Sequence, residues 1–214
     1  YLAELTMAIL YGQKIQRGEK AGYVGTFLKH LKQIDSSCSE KNIKVVSNAG
    51  GFNSKSMADE VKNILDSEGL NLKVAYIDGD DFMDKFDELK KNGEELKNLD
   101  TGASLFNQNL PAVSANYYLG CWGIKKALDE GADIVICPRV TDAALVMGPA
   151  AWKFNWSRDD YDKLAGSLAA GHIIECGAQA TGGNYSFFKE VPSFQNVGFP
   201  IAEIEESGNF KIYK

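Results

Sequence analysis

Three short polar or glycine-rich stretches each follow an apolar, β-branched run, and each carries groups that can bind or move a charge. Arg139, Thr141 and Asp142 follow Asp133-Ile134-Val135-Ile136-Cys137. A guanidinium there can hold a carboxylate or phosphate through two parallel hydrogen bonds, which an ammonium cannot do. The same residues have structural uses: Arg139 in an internal ion pair, Thr141 as a helix cap and Asp142 as a first-turn carboxylate. Asp78, Asp80 and Asp81 follow Leu72-Lys73-Val74-Ala75-Tyr76-Ile77. Carboxylates so close together can position a general base or hold a divalent cation. Asp80 or Asp81 ahead of Phe82 also fits a helix cap, which leaves Asp78, directly after the apolar run, as the candidate proton-moving group.

The third stretch, Ser47-Asn48-Ala49-Gly50-Gly51, follows Ile43-Lys44-Val45-Val46. Glycines let such a turn point amide donors outward, so Asn48, Gly50 and Gly51 are candidate contacts for a phosphate or carboxylate. The stretch lacks the lysine of a P-loop and the spacing of a dinucleotide fingerprint, and a plain strand-to-helix turn fits it equally. A fourth group is His172 and Glu175, with Gln179 continuing the same stripe. On a helix, residues three apart share a face, and an imidazole that titrates near neutrality beside a carboxylate can act as acid and base. On a strand the two would point to opposite faces, and a lone histidine on a buried stripe is commonly a satisfied core residue.

These candidates need elements to position them. The run before Pro138 reads as a strand buried on both faces and the other two runs as strands, and helical periodicity lies between them. Helices are predicted over 1–16, 26–34, 56–68, 114–131 and 143–147, the last stopped or bent by Gly148-Pro149, with a polar connection over 36–41. Strand-helix alternation of this kind predicts an α/β fold: a mostly parallel sheet with flanking helices and right-handed crossovers. A short antiparallel hairpin is predicted near the C-terminus around Ser207-Gly208-Asn209. In such sheets ligands bind beyond the carboxyl ends of the strands, where all three tips fall. Trp152, Phe154 and Trp156 form an aromatic patch that would suit an interface.

A chain of 214 residues is expected to be a single α/β domain over 1–214. Because it opens inside a predicted helix, it is also expected to be a fragment of a longer protein. Its 23 Lys and Arg against 29 Asp and Glu give a net charge of −6, which offers no basic field for nucleic acid. No run approaches the roughly 20 apolar residues of a membrane span. The 4 cysteines are scattered without a ligand spacing, so no metal site is expected and a reducing compartment is the simpler inference.

The stretches that carry the candidate chemistry also carry a resemblance. Tyr1-Leu2-Ala3-Glu4-Leu5-Thr6, Val45 through Gly51, Val74 through Asp81, Ala132 through Ala143, Gly171-His172, Glu175 through Asn184 and Gly198 through Ile204 resemble the acyclic terpene utilisation (AtuA-type) family, in order and over essentially the whole chain. Phe52 stands where an aliphatic residue is usual, and Cys137-Pro138 where glycine is common before the arginine. The resemblance implies an earlier strand with a glycine-rich loop, and more chain beyond Lys214. It also implies acyl-CoA catabolism of branched or terpenoid acids beside biotin carboxylases, by a lyase or hydratase acting on a 3-hydroxyglutaryl-type CoA thioester. Coenzyme A would then enter as part of the substrate, with a divalent cation as an open addition. The setting would be cytoplasmic, or mitochondrial in a eukaryote. A homo-oligomer or a carboxylase partner is compatible with this setting. The competing expectation is a non-catalytic acyl-CoA-binding or carboxylase-associated subunit that uses the aromatic patch as its interface.

Overall fold

The structure is a computed structural model that describes residues 1–2, 4–107 and 112–214. Its centre is β3 (Ile134–Ile136), all three residues of which are buried. On one side β3 pairs in parallel with β1 (Val45–Ser47), and on the other with β2 (Val74–Tyr76), giving the order β1-β3-β2. In register, Val135 stands between Val46 and Ala75. Side chains alternate across a strand, so Ile134 and Ile136 enter one core while Val135 and Cys137 enter the other. The first core is closed by Phe27, Leu31, Met57, Val61 and Leu65, the second by Ile124, Leu128 and Val140. Burial on both faces is why the central run is continuously apolar.

Eight α-helices surround the strands among the described residues. The first is α1 (Glu4–Arg17), which starts later than the periodicity of 1–16 suggests. The predicted helix over 26–34 is only α2 (Thr26–Leu31), and the polar connection over 36–41 is a helix, α3 (Asp35–Lys41). Cys38 is the apolar anchor of α3, and Asn42 ends it in the left-handed conformation (φ 52°) that asparagine tolerates. A strongly amphipathic stretch forms α4 (Ser54–Ser67), capped by the Asn53 side chain, which accepts the Ser56 N–H. The charged segment after β2 carries α5 (Phe86–Lys91), with no buried residue.

Of the helix predicted over 114–131, only α6 (Trp122–Asp129) forms. The residues before it hydrogen-bond to the strand tips instead of to one another. Tyr117 N–H donates to the Asp80 carbonyl at 2.7 Å, Leu119 N–H to the Arg139 carbonyl at 3.2 Å, and Thr141 N–H to the Leu119 carbonyl at 2.9 Å. Then α7 (Ala144–Lys153) continues past the Gly148-Pro149 pair that was expected to stop or bend it. Gly148 lets α6 approach, since a Cβ there would lie 2.6 Å from Ile124 Cγ2, and this packing outweighs the local penalty of the proline.

Beyond it, α8 (Tyr161–Ile174) packs on α7, and β4 (Ile201–Ile204) pairs antiparallel with β5 (Phe210–Tyr213), the predicted hairpin. The aromatic patch packs largely into the fold. Trp156 is 2% exposed, donates Nε1–H to the Glu206 carbonyl at 3.1 Å and stacks on Phe154, while Trp152 is half-buried against the second core. These rings join α7, α8 and β4 from inside. No helix among the described residues is long and apolar enough to cross a membrane.

Candidate functional site

Because the three central strands are parallel, Asn48, Asp78 and Arg139 all leave the sheet at one edge. What their side chains do there differs. Arg139 is 2% exposed. Its Nη1 donates to the Leu2 carbonyl at 3.0 Å and its Nη2 to Asp142 Oδ2 at 3.2 Å, with Glu4 Oε1 at 3.8 Å. The guanidinium carbon lies 4.2 Å from the centre of the Tyr118 ring, and Nε has no partner among the described residues. Tyr118 in turn donates its hydroxyl to Glu4, which holds the Glu4 carboxyl below its ordinary range. The side chain expected to grip a ligand therefore ties the β3 tip to the start of α1 and to Asp142. Thr141 is exposed. Its carbonyl, not its hydroxyl, meets the first turn of α7 by accepting Ala144 N–H at 2.9 Å.

Asp80, read both as one of three clustered carboxylates and as a possible cap, is the buried carboxylate of the edge, 5% exposed. Its Oδ2 accepts the Arg139 backbone N–H at 3.2 Å and Asn116 Nδ2–H at 2.9 Å, so it ties the β2 tip to the β3 tip. Burial pushes its pKa up against the opposing pull of those hydrogen bonds. Capping falls to Asp81, which accepts the Met83 N–H at 3.0 Å. Asp78 is exposed to solvent.

The glycine-rich tip does not present its amides as expected. Gly50 N–H donates inward to the Cys137 carbonyl at 3.0 Å, Ala49 N–H to Ser47 Oγ at 3.2 Å, and Phe52 N–H to the Gly22 carbonyl at 2.8 Å. The glycines serve close packing instead. A Cβ on Gly50 would lie 2.3 Å from Ser54 Oγ and 2.7 Å from the Cys137 carbonyl, and Gly51, at φ 54°, abuts the Gly22 carbonyl. Asn48 is 2% exposed, with no partner for Oδ1 among the described residues.

Between the β1 and β2 tips lies a cleft of about 210 Å³. Gly51, Ser54 and Lys55 form one wall, Asp78, Asp80 and Asp81 the other, and Pro138 also lines it. His172, Glu175 and Gln179 stand elsewhere, exposed where α8 ends. Gly171 brings that end onto the β3 tip, since a Cβ there would lie 2.9 Å from Ala143 Cα. Glu175 accepts a hydrogen bond from the neighbouring Cys176 thiol at 3.2 Å, and this bond raises the Cys176 pKa, with a smaller contribution from Asp142. The sheet edge thus gathers two groups of candidates. Gly51 and Asp78 line the cleft, whereas Arg139, Asp142 and Glu175 lie toward α1 and α8. Among the described residues no set of three His, Cys, Asp or Glu side chains is placed to hold a metal ion, and the aspartates of the β2 tip form no such set.

A parallel α/β sheet that collects polar loops beyond the carboxyl ends of its strands is a ligand-binding architecture. The chain belongs to the acyclic terpene utilisation family: the family described as acyclic terpene utilisation family protein AtuA matches residues 1–214. No curated protein and no solved structure matches it.

Proposed function

We propose that the chain is part of an acyl-CoA catabolic enzyme of branched or terpenoid acid breakdown, a lyase or hydratase acting on a 3-hydroxyglutaryl-type CoA thioester. The observation that carries this reading is the cleft at the sheet edge, with carboxylates on one wall and a cation on the facing one. Loss of water from a 3-hydroxyacyl thioester needs a base for the proton beside the thioester carbonyl and an acid for the departing hydroxyl. Cleavage of the carbon–carbon bond needs a base for the hydroxyl proton itself. Asp78, exposed in the cleft, is the base in either case, within reach directly or through one water. Asp80, which burial holds closer to its protonated form, is suited to give a proton. Arg139 acts as a positioning residue: its side chain locks the β3 tip, and its backbone N–H fixes Asp80. His172, Glu175 and Gln179 have a part only if the thioester end of the substrate extends over the β3 tip toward α8.

The test is to incubate the protein with branched acyl-CoA thioesters, with and without a 3-hydroxyl and a terminal carboxylate, and to follow the products by mass spectrometry. Turnover confined to 3-hydroxyacyl thioesters, abolished in Asp78→Asn with little change in KM, is expected. Turnover undiminished in that variant would remove Asp78 from the chemistry. The rival reading, a non-catalytic subunit docking through Trp152, Phe154 and Trp156, loses its surface because those rings are packed inside.

A further inference from the structure

A second hollow, of about 360 Å³, lies between α1 and the segment that follows β2. Tyr11 and Ile15 of α1 line it together with Phe52, Met83 and Val113, so its walls are largely aromatic and aliphatic. Phe52 and Asp81 line both this cavity and the cleft, and the two hollows therefore share a boundary. Small-molecule sites are commonly of this size and make-up, mostly apolar with a few placed polar groups.

Both walls are held in place. The Phe52 ring packs beside Leu10 of α1 and meets Tyr11 edge-on, with ring centroids 5.8 Å apart. Across the cavity, Phe82 N–H donates to the Ala115 carbonyl at 3.0 Å and the Phe82 ring stacks on Tyr117 at 4.3 Å, which ties the segment carrying Val113 to the β2 tip. The one cation on the wall is Lys14, half-buried, whose Nζ donates to the Phe52 carbonyl at 3.4 Å. It pairs with no carboxylate among the described residues. A lysine so turned lends the wall its methylene stem.

We propose that this cavity is the acyl-limb subsite of the cleft: it takes the hydrocarbon carried on the hydroxyl-bearing carbon of the substrate, and Tyr11, Phe52, Met83 and Val113 set the length and branching it accepts. This inference rests on the cleft being the substrate site of the proposed function. Polar atoms then stay beside Asp78, and the limb passes Phe52 into the apolar hollow. Burying hydrocarbon there supplies affinity that the polar cleft does not, while Asp81 at the shared boundary disfavours a carboxylate in the limb's place.

Free acids separate this subsite from the chemistry, because they cannot be turned over as thioesters. In isothermal titration of the wild-type protein, affinity should rise from 3-hydroxybutyrate through 3-hydroxyhexanoate to 3-hydroxyoctanoate, by about fourfold for each methylene that enters the cavity. Val113→Trp and Ile15→Trp each add a ring to one wall from an exposed position, so the thermal midpoint should hold. Both variants should bind 3-hydroxybutyrate as the wild type does and lose the gain with length. Affinity independent of length in the wild type, or a length dependence unchanged in both variants, would overturn the subsite. So would 3-hydroxyglutarate binding more tightly than 3-hydroxyoctanoate and losing that advantage in Lys14→Met, which would give the cavity to a carboxylate. If binding behaves as expected while no thioester is turned over, the subsite stands and the proposed reaction falls; turnover of thioesters with no effect of limb length leaves the reaction and removes the subsite.

Discussion

Replacing Arg139 by lysine tests whether this side chain holds the fold or the ligand. Read from the sequence, Arg139→Lys should weaken substrate binding and leave folding stability nearly intact. The structure reverses that expectation, because the guanidinium is enclosed and spends its donors on Leu2 and Asp142 while lying over Tyr118. A lysine ammonium can reach one of these acceptors but cannot span both as a planar fork. Losing the bond to the Leu2 carbonyl costs about 1 kcal/mol, and a weakened contact with Asp142 costs about 1 kcal/mol more. Loss of the flat stacking on Tyr118 adds about 0.5–1 kcal/mol. Against this, the unpartnered Nε disappears, which returns part of the cost. The net loss is about 2 kcal/mol, which for a chain of this size lowers the thermal midpoint by about 4–8 °C. Differential scanning calorimetry of wild type and variant, with Asp142→Asn as a second break in the same pair, measures it. A midpoint within about 1 °C of wild type in both variants would refute the anchoring role, since a loss of about 2 kcal/mol could not hide there.

Asp80 gives a pH signature. Its folded-state pKa is raised by burial, so the folded protein holds this proton longer than the unfolded chain does. Its contribution to stability is thus largest below the ordinary carboxylate range and declines as pH rises through the raised value. In urea denaturation across that window, wild type should lose stability relative to Asp80→Asn, whose carbonyl oxygen can take the place of Oδ2 and accept both N–H groups; parallel curves would refute the assignment. Trp156→Ala should cost about 3–5 kcal/mol in urea unfolding, as befits a fully buried aromatic ring, and a cost below about 1 kcal/mol would return the ring to the surface. Iodoacetamide on the native protein should modify Cys176 first, because Cys38, Cys121 and Cys137 are buried and burial pushes the Cys137 thiol up to about 12. Since the Glu175 carboxylate raises the Cys176 pKa, Glu175→Gln should speed that reaction near neutral pH, and an unchanged rate would break the pairing.

The central strand was legible because burial on both faces writes itself as an unbroken apolar run, Ile134-Val135-Ile136-Cys137. Where the sequence misled, the cause was a partner distant along the chain. Residues 114–121 carry helical spacing, but the Tyr117 and Leu119 amides donate to the Asp80 and Arg139 carbonyls, and the Ala115 and Leu119 carbonyls accept from Phe82 and Thr141. Helix α7 passes through Pro149 because Ile124 of α6 packs against Gly148. The site shows the same division. Residue types placed Asp78 and Arg139 at the edge, yet whether Arg139 turned outward depended on the Leu2 carbonyl, more than a hundred positions earlier. Ser54 went unremarked because the periodicity starts the helix at residue 56, whereas Asn53 caps it and Ser54 opens it. A serine relieved of capping and buried against a glycine has no structural errand of its own. Its enclosure is set by Gly50 and its freedom from capping by Asn53, and neither can be read from the serine itself.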